Sequence, residues 1–414
     1  MSGSLQSEAR GEARNRRRWP RRLLFGFLIA VIVIVLVGLA FVRFSVRRAF
    51  PQVDGILQVP GLSSDVEVIR DALGVPHIYA DTVEDLFMAQ GFVHAQDRFY
   101  QMDTWRHISS GRLSEMFGSS QVETDAFLRT MGWAALAEAQ YEREQPEVRA
   151  ILDAYAEGVN AYVASRSPAE LGFEYSILEL LNHGYDPAPW TGPESLAWGK
   201  VMSFSLGGNL QAEVSRAMAL GIMSPERVDQ LFPPYPGDRH PFIVPGDARA
   251  PARDASFSLP DELGPALDDV AGAINALNDV TGGGMETGIG SNSWAVSGDH
   301  TPTGAPMLAN DPHLGIQMPS IWYQVGLHCR TVDEACPFDV AGFSFAGVPG
   351  VIIGHNADIA WGFTNVGPDV QDLYIEKVNP DNPDQYEVEG AWVDMETRTE
   401  TIAVAGGDPV EIMV

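Results

Sequence analysis

With 414 residues, 45% of them apolar and 20% charged, the chain has a globular composition and is too long for one ordinary core, which excludes disordered and fibrous classes. The net charge of −28 is unevenly spread: residues 1–48 hold ten Arg and two Glu, so the remainder carries −36. So acidic a body repels a phosphate backbone, which argues against nucleic acid as a partner, and most of that acid reads as solvated surface.

Residues 23–42 are twenty uncharged residues in a row, the length of a bilayer-spanning helix. Seven Arg precede them, and Arg43, Arg47 and Arg48 follow. The positive-inside bias predicts a basic cytoplasmic tail over 1–22, a transmembrane anchor over 23–42, and a periplasmic or extracellular body. No small-x-small site follows the apolar run, which favours an uncleaved anchor over a removed signal peptide.

Two strands are predicted next, over Val66–Asp71 and Gly74–Ala80. A helix capped by Thr82 then runs through Ala89, Val93, Phe99 and Met102. Its polar face includes His94, Asp97, Arg98, Asp103 and Arg106, the last four read as ion pairs that position helices. Residues 121–166 repeat apolar positions at helical spacing, and 170–236 read as further helices broken by two proline-rich stretches. The region 50–243 is thus mostly helical. Residues 244–290 turn to Ala, Asp, Gly and Pro with few aromatics and read as a spacer.

From Ser291 the period becomes two. Short strands are predicted at 291–297, 307–310, 321–328, 341–345, 351–354, 359–363, 373–378 and near 410–413. Val414 falls inside the last of these, so the second part, 291–414, reads as incomplete. Cys329 and Cys336 are the chain's two cysteines, and in an exported domain they close a short disulfide loop; they match no zinc pattern.

The junction Gly290-Ser291 separates a polar, glycine-rich approach from a strand expected to be buried, with Trp294 and Val296 on one face. Cutting there would place a hydroxyl and an α-amine on one residue at the start of that strand. The other reading is an ordinary entry from loop to strand.

Four segments, in order, resemble the penicillin acylase family of N-terminal-nucleophile amidohydrolases. They are Gly91–Asp103 with Gly111–Glu115, then Gly290–Gly298, then Leu308–Leu314, and finally Gly354–Asn356 through Trp361–Asn365 to Asp369–Tyr374. The resemblance implies an α+β fold, a four-layer αββα sandwich whose first chain is helical. It implies self-cleavage at Gly290-Ser291, a heterodimer of α and β chains, and hydrolysis of N-acylated small molecules by Ser291. A serine hydroxyl needs a base close by, and a free α-amine titrates at about 7.7–8.0, near working pH. By resemblance the backbone N–H of Asn365 is one oxyanion donor, and a second, an asparagine side chain, lies beyond Val414. His313 stands where some members carry His and others Gln; its implied role is to orient Ser291. Glu213, Asp369, the carbonyl of Gln371 and Asp372 match a structural Ca²⁺ site of hard oxygen ligands. Phe204, Leu314, Phe343 and Phe345 are candidate walls of an acyl pocket, or plain core. The substrate remains open among β-lactams, acyl-homoserine lactones and acylated lipopeptides, and a non-catalytic binding homologue is the alternative from another class.

Overall fold

A computed structural model describes residues 18–207, 209–233, 239, 264–281, 290–365 and 372–414. Helix α1 (Arg18–Arg48) contains, within Leu23–Arg48, an 18-residue stretch of mean hydropathy 3.2 that is not buried against the body, so it is long and apolar enough to cross a membrane. Its last turn is fastened: Ser45 is buried, and Arg48 Nη2 donates to Ser167 Oγ at 2.8 Å.

A six-stranded mixed sheet follows, in the order β1-β2-β5-β6-β7-β8. Its members are β1 (Glu67–Arg70), β2 (Pro76–Ala80), β5 (Trp322–Cys329), β6 (Asp339–Phe345), β7 (Ile353–His355) and β8 (Ala360–Trp361). β2 pairs with β5 in parallel, and the other neighbours are antiparallel. Alternation sends Ile78, Ala80, Tyr323, Val325, Leu327 and Cys329 to one face, where they pack against helix α2 (Val83–Ser110) through Leu86, Phe87 and Val93.

Thr82 caps α2 as expected, its side chain accepting from the Asp85 N–H at 3.1 Å. The next helices are α3 (Leu113–Phe117), α4 (Val122–Met131), α5 (Trp133–Arg143), α6 (Pro146–Val163), α7 (Pro168–Leu171), α8 (Phe173–Leu181), α9 (Gly192–Gly207), α10 (Asn209–Ile222), α11 (Pro225–Leu231) and α12 (Gly264–Thr281). α6 lies directly on α2, and two glycines make that approach possible: a Cβ on Gly91 would stand 2.0 Å from the Tyr155 carbonyl oxygen, and one on Gly158 1.8 Å from that of Met88.

The ion pairs read from the sequence hold these elements together. Arg70 grips Asp97 at 2.8 Å, and Arg106 Nε reaches Asp103 at 2.7 Å inside the core. Burial alone would raise the Asp103 carboxyl. The bonds from His107 and Tyr175 and the Arg106 charge outweigh it and hold Asp103 well below the usual carboxylate range. Arg98 differs: it breaks the helical φ/ψ of α2 and donates to the Ser320 carbonyl at 3.2 Å.

Three expectations change. The spacer contains helix α12, whose Ile274 and Leu277 are buried, Leu277 in the same cluster as Trp105 and Leu128. An Ala-rich run with apolar residues at helical spacing overrode the bland composition. Of the strand expected over 373–378, only its end survives, as β9 (Val378–Asn379), which pairs with β10 (Asn382–Val388) and leads to β11 (Ala391–Asp394). β12 (Thr399–Ile402) and β13 (Val410–Met413) form a separate hairpin.

The third change concerns β3 (Gly290–Val296) and β4 (Met307–His313). They pair with one another as a two-stranded ribbon, and no other described strand joins them. Trp294 is therefore 67% exposed and Val296 40%, not buried as expected. Among the described residues the architecture is α+β, with helices on one face of the main sheet; a second central sheet of a four-layer sandwich is not assembled.

Candidate active site

β3 begins at Gly290-Ser291, and its register with β4 decides which side chains share a face. Ser291 stands opposite Pro312, Ser293 opposite Asn310, and Gly290 opposite His313. Residues paired across antiparallel strands point to the same side, and alternate residues along a strand do too. Ser291, Ser293, Asn310 and Pro312 therefore lie on one face. Gly290, Asn292, Asp311 and His313 lie on the other.

His313 is thus near Ser291 along the backbone, with its ring on the opposite face. Its Nε2 is 2.9 Å from Asp311 Oδ2, and the side chain is 43% exposed. The orienting contact expected from His313 to Ser291 is not made in the intact chain.

Nothing lies within 4 Å of where a Cβ would sit on Gly290, and its φ is not in the left-handed region. Packing therefore does not require glycine at this position.

The segment after β8 comes to the Ser291 face. Phe363 donates its N–H to Asn310 Oδ1 at 3.1 Å, and Asn310 Nδ2 donates to the Phe363 carbonyl at 2.9 Å. The same Nδ2 lies 3.3 Å from the Asn292 carbonyl. Asn365 follows two residues later, its side chain donating to the Leu206 carbonyl at 2.7 Å at the end of α9. Two sheets are joined here, one holding the nucleophile candidate and the other leading to the oxyanion candidate. The partner of Asn310, Phe363, lies 53 positions away and no spacing announces it.

Three of the four acyl-wall candidates meet in one place. Phe204 and Phe345 are buried in a cluster with Trp198, and Leu314 packs against it. Phe345 stacks on Trp198, centroids 4.8 Å apart, and meets Trp322 at a tilt, centroids 4.4 Å apart. Phe343 is 38% exposed and lines a separate cleft of about 690 Å³ with Arg98, Trp322 and Tyr323.

Of the metal-ligand candidates, Asp369 and Gln371 lie outside the described residues. Glu213 on α10 accepts the Leu373 N–H at 3.1 Å, which sets its carboxylate beside the backbone that adjoins Asp372. Two of the proposed oxygen donors thus come from segments in contact. The described residues alone contain no group of three His, Cys, Asp or Glu able to hold an ion. Cys329 and Cys336 are disulfide-bonded, as the sequence predicts.

The sequence model of the penicillin amidase family matches residues 65–414. An acyl-homoserine lactone acylase, QuiP, from Pseudomonas aeruginosa is 32% identical over 370 residues, covering 88% of this chain and 41% of its own length. A penicillin acylase 2 proenzyme from Pseudomonas sp. strain SE83 is 34% identical over 373 residues, covering 88% of this chain and 44% of its own length. The chain therefore spans less than half the length of these curated relatives. A solved penicillin G acylase from Alcaligenes faecalis aligns at 29% identity over 46% of this chain and 97% of that one, with a TM-score of 0.34. At that score the likeness adds nothing to the fold described above.

Proposed function

The chain belongs to the penicillin amidase family, and we propose that it is the part of an amidohydrolase that carries the nucleophile, Ser291, released by self-cleavage of the Gly290-Ser291 bond. The observation that carries this reading is the junction itself. A glycine that packing does not require opens β3, a serine follows it at the second position, and Asn310 ties that strand to the Asn365 segment.

In the cleavage step the Ser291 Oγ attacks the Gly290 carbonyl, the C–N bond breaks as the acyl group moves to oxygen, and water hydrolyses the resulting ester. The freed α-amine of Ser291 then serves as base for its own hydroxyl, through a bridging water. Attack on a substrate amide gives a tetrahedral oxyanion, which the Asn365 N–H would stabilise. The amine leaves with a proton, and water releases the acid from the acyl-enzyme. His313, on the far face of the hairpin, stays outside this proton path.

Substrates are N-acylated small molecules. The acyl chain would meet the aromatic cluster around Phe204, Leu314 and Phe345; the amine partner is open among β-lactams, homoserine lactones and lipopeptides. Glu213, Asp369, the Gln371 carbonyl and Asp372 would hold a structural Ca²⁺ joining the two chains, and the contact between Glu213 and Leu373 supports that set. Helix α1 would anchor the body outside the cytoplasmic membrane, a placement that the disulfide supports.

The test uses the complete gene product. N-terminal sequencing should find a chain beginning Ser-Asn-Ser-Trp, and Ser291→Ala should abolish both that chain and hydrolysis of N-acyl amides. Hydrolysis retained in Ser291→Ala would assign the chemistry to another residue.

A further inference from the structure

The geometry points to Asn310 as a positioning residue that sets where the oxyanion donor stands relative to the nucleophile; this rests on Ser291 and Asn365 having the roles proposed above. Three observations carry it. First, register places the Asn310 side chain on the same face of the hairpin as Ser291, two residues along on the partner strand. Second, its amide holds Phe363 from both sides, accepting the N–H at 3.1 Å and donating to the C=O at 2.9 Å. A side-chain amide here stands in for a peptide group and pairs with Phe363 as a neighbouring strand would. Third, the fit is close. A Cβ on Gly362 would stand 2.7 Å from Asn310 Cβ and Cγ, so the chain carries glycine where the amide lies against the backbone.

The consequence is mechanical. Ser291 belongs to a two-stranded ribbon, whereas Asn365 follows the edge strand of the six-stranded sheet. Two bodies held by separate ladders do not keep a catalytic distance by themselves. Asn310 crosses between them, bonding Asn292 in one and Phe363 in the other, one residue from Ser291 and two from Asn365. An oxyanion donor must sit where charge develops, and a displacement of about 1 Å is enough to lose ~10²-fold in rate. Asn310 would therefore act on the transition state, with little effect on substrate binding.

The experiment compares wild type, Asn310→Asp, Asn310→Ala and Gly362→Ala in the complete gene product, with Ser291→Ala alongside. The readouts are the fraction cleaved at Gly290-Ser291, and kcat and KM of the cleaved enzyme on a chromogenic N-acyl anilide. Asn310→Asp is nearly isosteric and keeps the acceptor for Phe363 N–H while losing both donors, so it reports even if Asn310→Ala fails to fold. The expected result is slower self-cleavage and a 10- to 100-fold fall in kcat, with KM changed less than about threefold. Gly362→Ala, which pushes the amide aside without removing it, should show the same split. Wild-type kcat in folded Asn310→Asp, or a rise in KM with kcat unchanged, would overturn the positioning role while an inactive Ser291→Ala kept the nucleophile assignment. Hydrolysis in Ser291→Ala equal to wild type would overturn both.

Discussion

Gly158 on α6 and Met88 on α2 touch backbone to backbone, with room for a hydrogen atom and nothing more. A Cβ on Gly158 would lie 1.8 Å from the Met88 carbonyl oxygen, and no side chain can swing away to relieve it. Gly158→Ala should therefore cost about 3 kcal/mol or more, because one helix must lift from the other. Gly199→Ala is the control: nothing lies within 4 Å of its added Cβ. That substitution should be neutral or gain about 0.5–1 kcal/mol from helix propensity. Denaturant melts of the two variants would measure the contrast.

His94 is fully buried, with Nδ1 2.7 Å from the Tyr155 hydroxyl and Nε2 3.1 Å from Ser344 Oγ. Tyr155 already accepts the Gly347 N–H, and Ser344 donates to the Tyr323 carbonyl, so a single neutral tautomer satisfies every donor. Burial, aided by the Arg98 charge, pulls the His94 pKa down to about 3. The unfolded chain therefore binds this proton near pH 6.5 while the folded one does not until about 3. Stability from this group is complete above pH 6.5 and is lost as the pH falls through that window, by at most about 1.4 kcal/mol per pH unit. Thermal melts between pH 6.5 and 4.5 should show the slope in wild type and a shallower one in His94→Asn; equal slopes would show that other groups carry it.

If Glu213 helps to hold Ca²⁺, chelation should lower the melting temperature of the cleaved protein, and Glu213→Gln should show a lower melting temperature that chelator no longer changes. A chelator response of wild-type size in Glu213→Gln would remove Glu213 from the donor set. Melting, and not turnover, is the readout, so the result does not depend on the activity.

Cys329 and Cys336 close a loop of seven positions, and loop-closure entropy assigns such a bridge about 2 kcal/mol. The double change to Ser should lower stability by about that amount under oxidising conditions, whereas adding reductant to it should do nothing further. Reductant titration of both proteins separates the bridge from any other thiol effect.

Much of this molecule was legible from residue order alone, where the signal was local. The Thr82 cap, the long polar-faced helix after it, the strand at Ser291 and the disulfide all follow from patterns within a few residues. What residue order did not show was set by neighbours in space. Trp294 and Val296 alternate like a buried strand, but exposure depends on what covers the face, and the described chain leaves that face of the ribbon open. His313 was assigned to Ser291 by position along the chain. A register of one residue decides the face, and it put the ring on the other side. The Asn310 clamp needs a partner 53 residues away, which no window of sequence contains. Composition hid α12, because a run rich in Ala, Asp and Gly looks like a linker until Ile274 and Leu277 find a core.

That helix alters what cutting the chain can achieve. Ile274 is 4% exposed and Leu277 1%, and α12 lies against α10 and α4. Breaking the bond at Gly290 makes two ends, but it liberates no peptide, because the upstream end stays moored nine residues back at Thr281. Releasing α12 after a second, upstream cut would also require undocking two buried aliphatic side chains, about 3–6 kcal/mol of apolar contact. If the proposed cut at Gly290-Ser291 takes place, the new carboxylate of Gly290 would stay tethered within a short chain's reach of the amine it uncovers, and would compete for it.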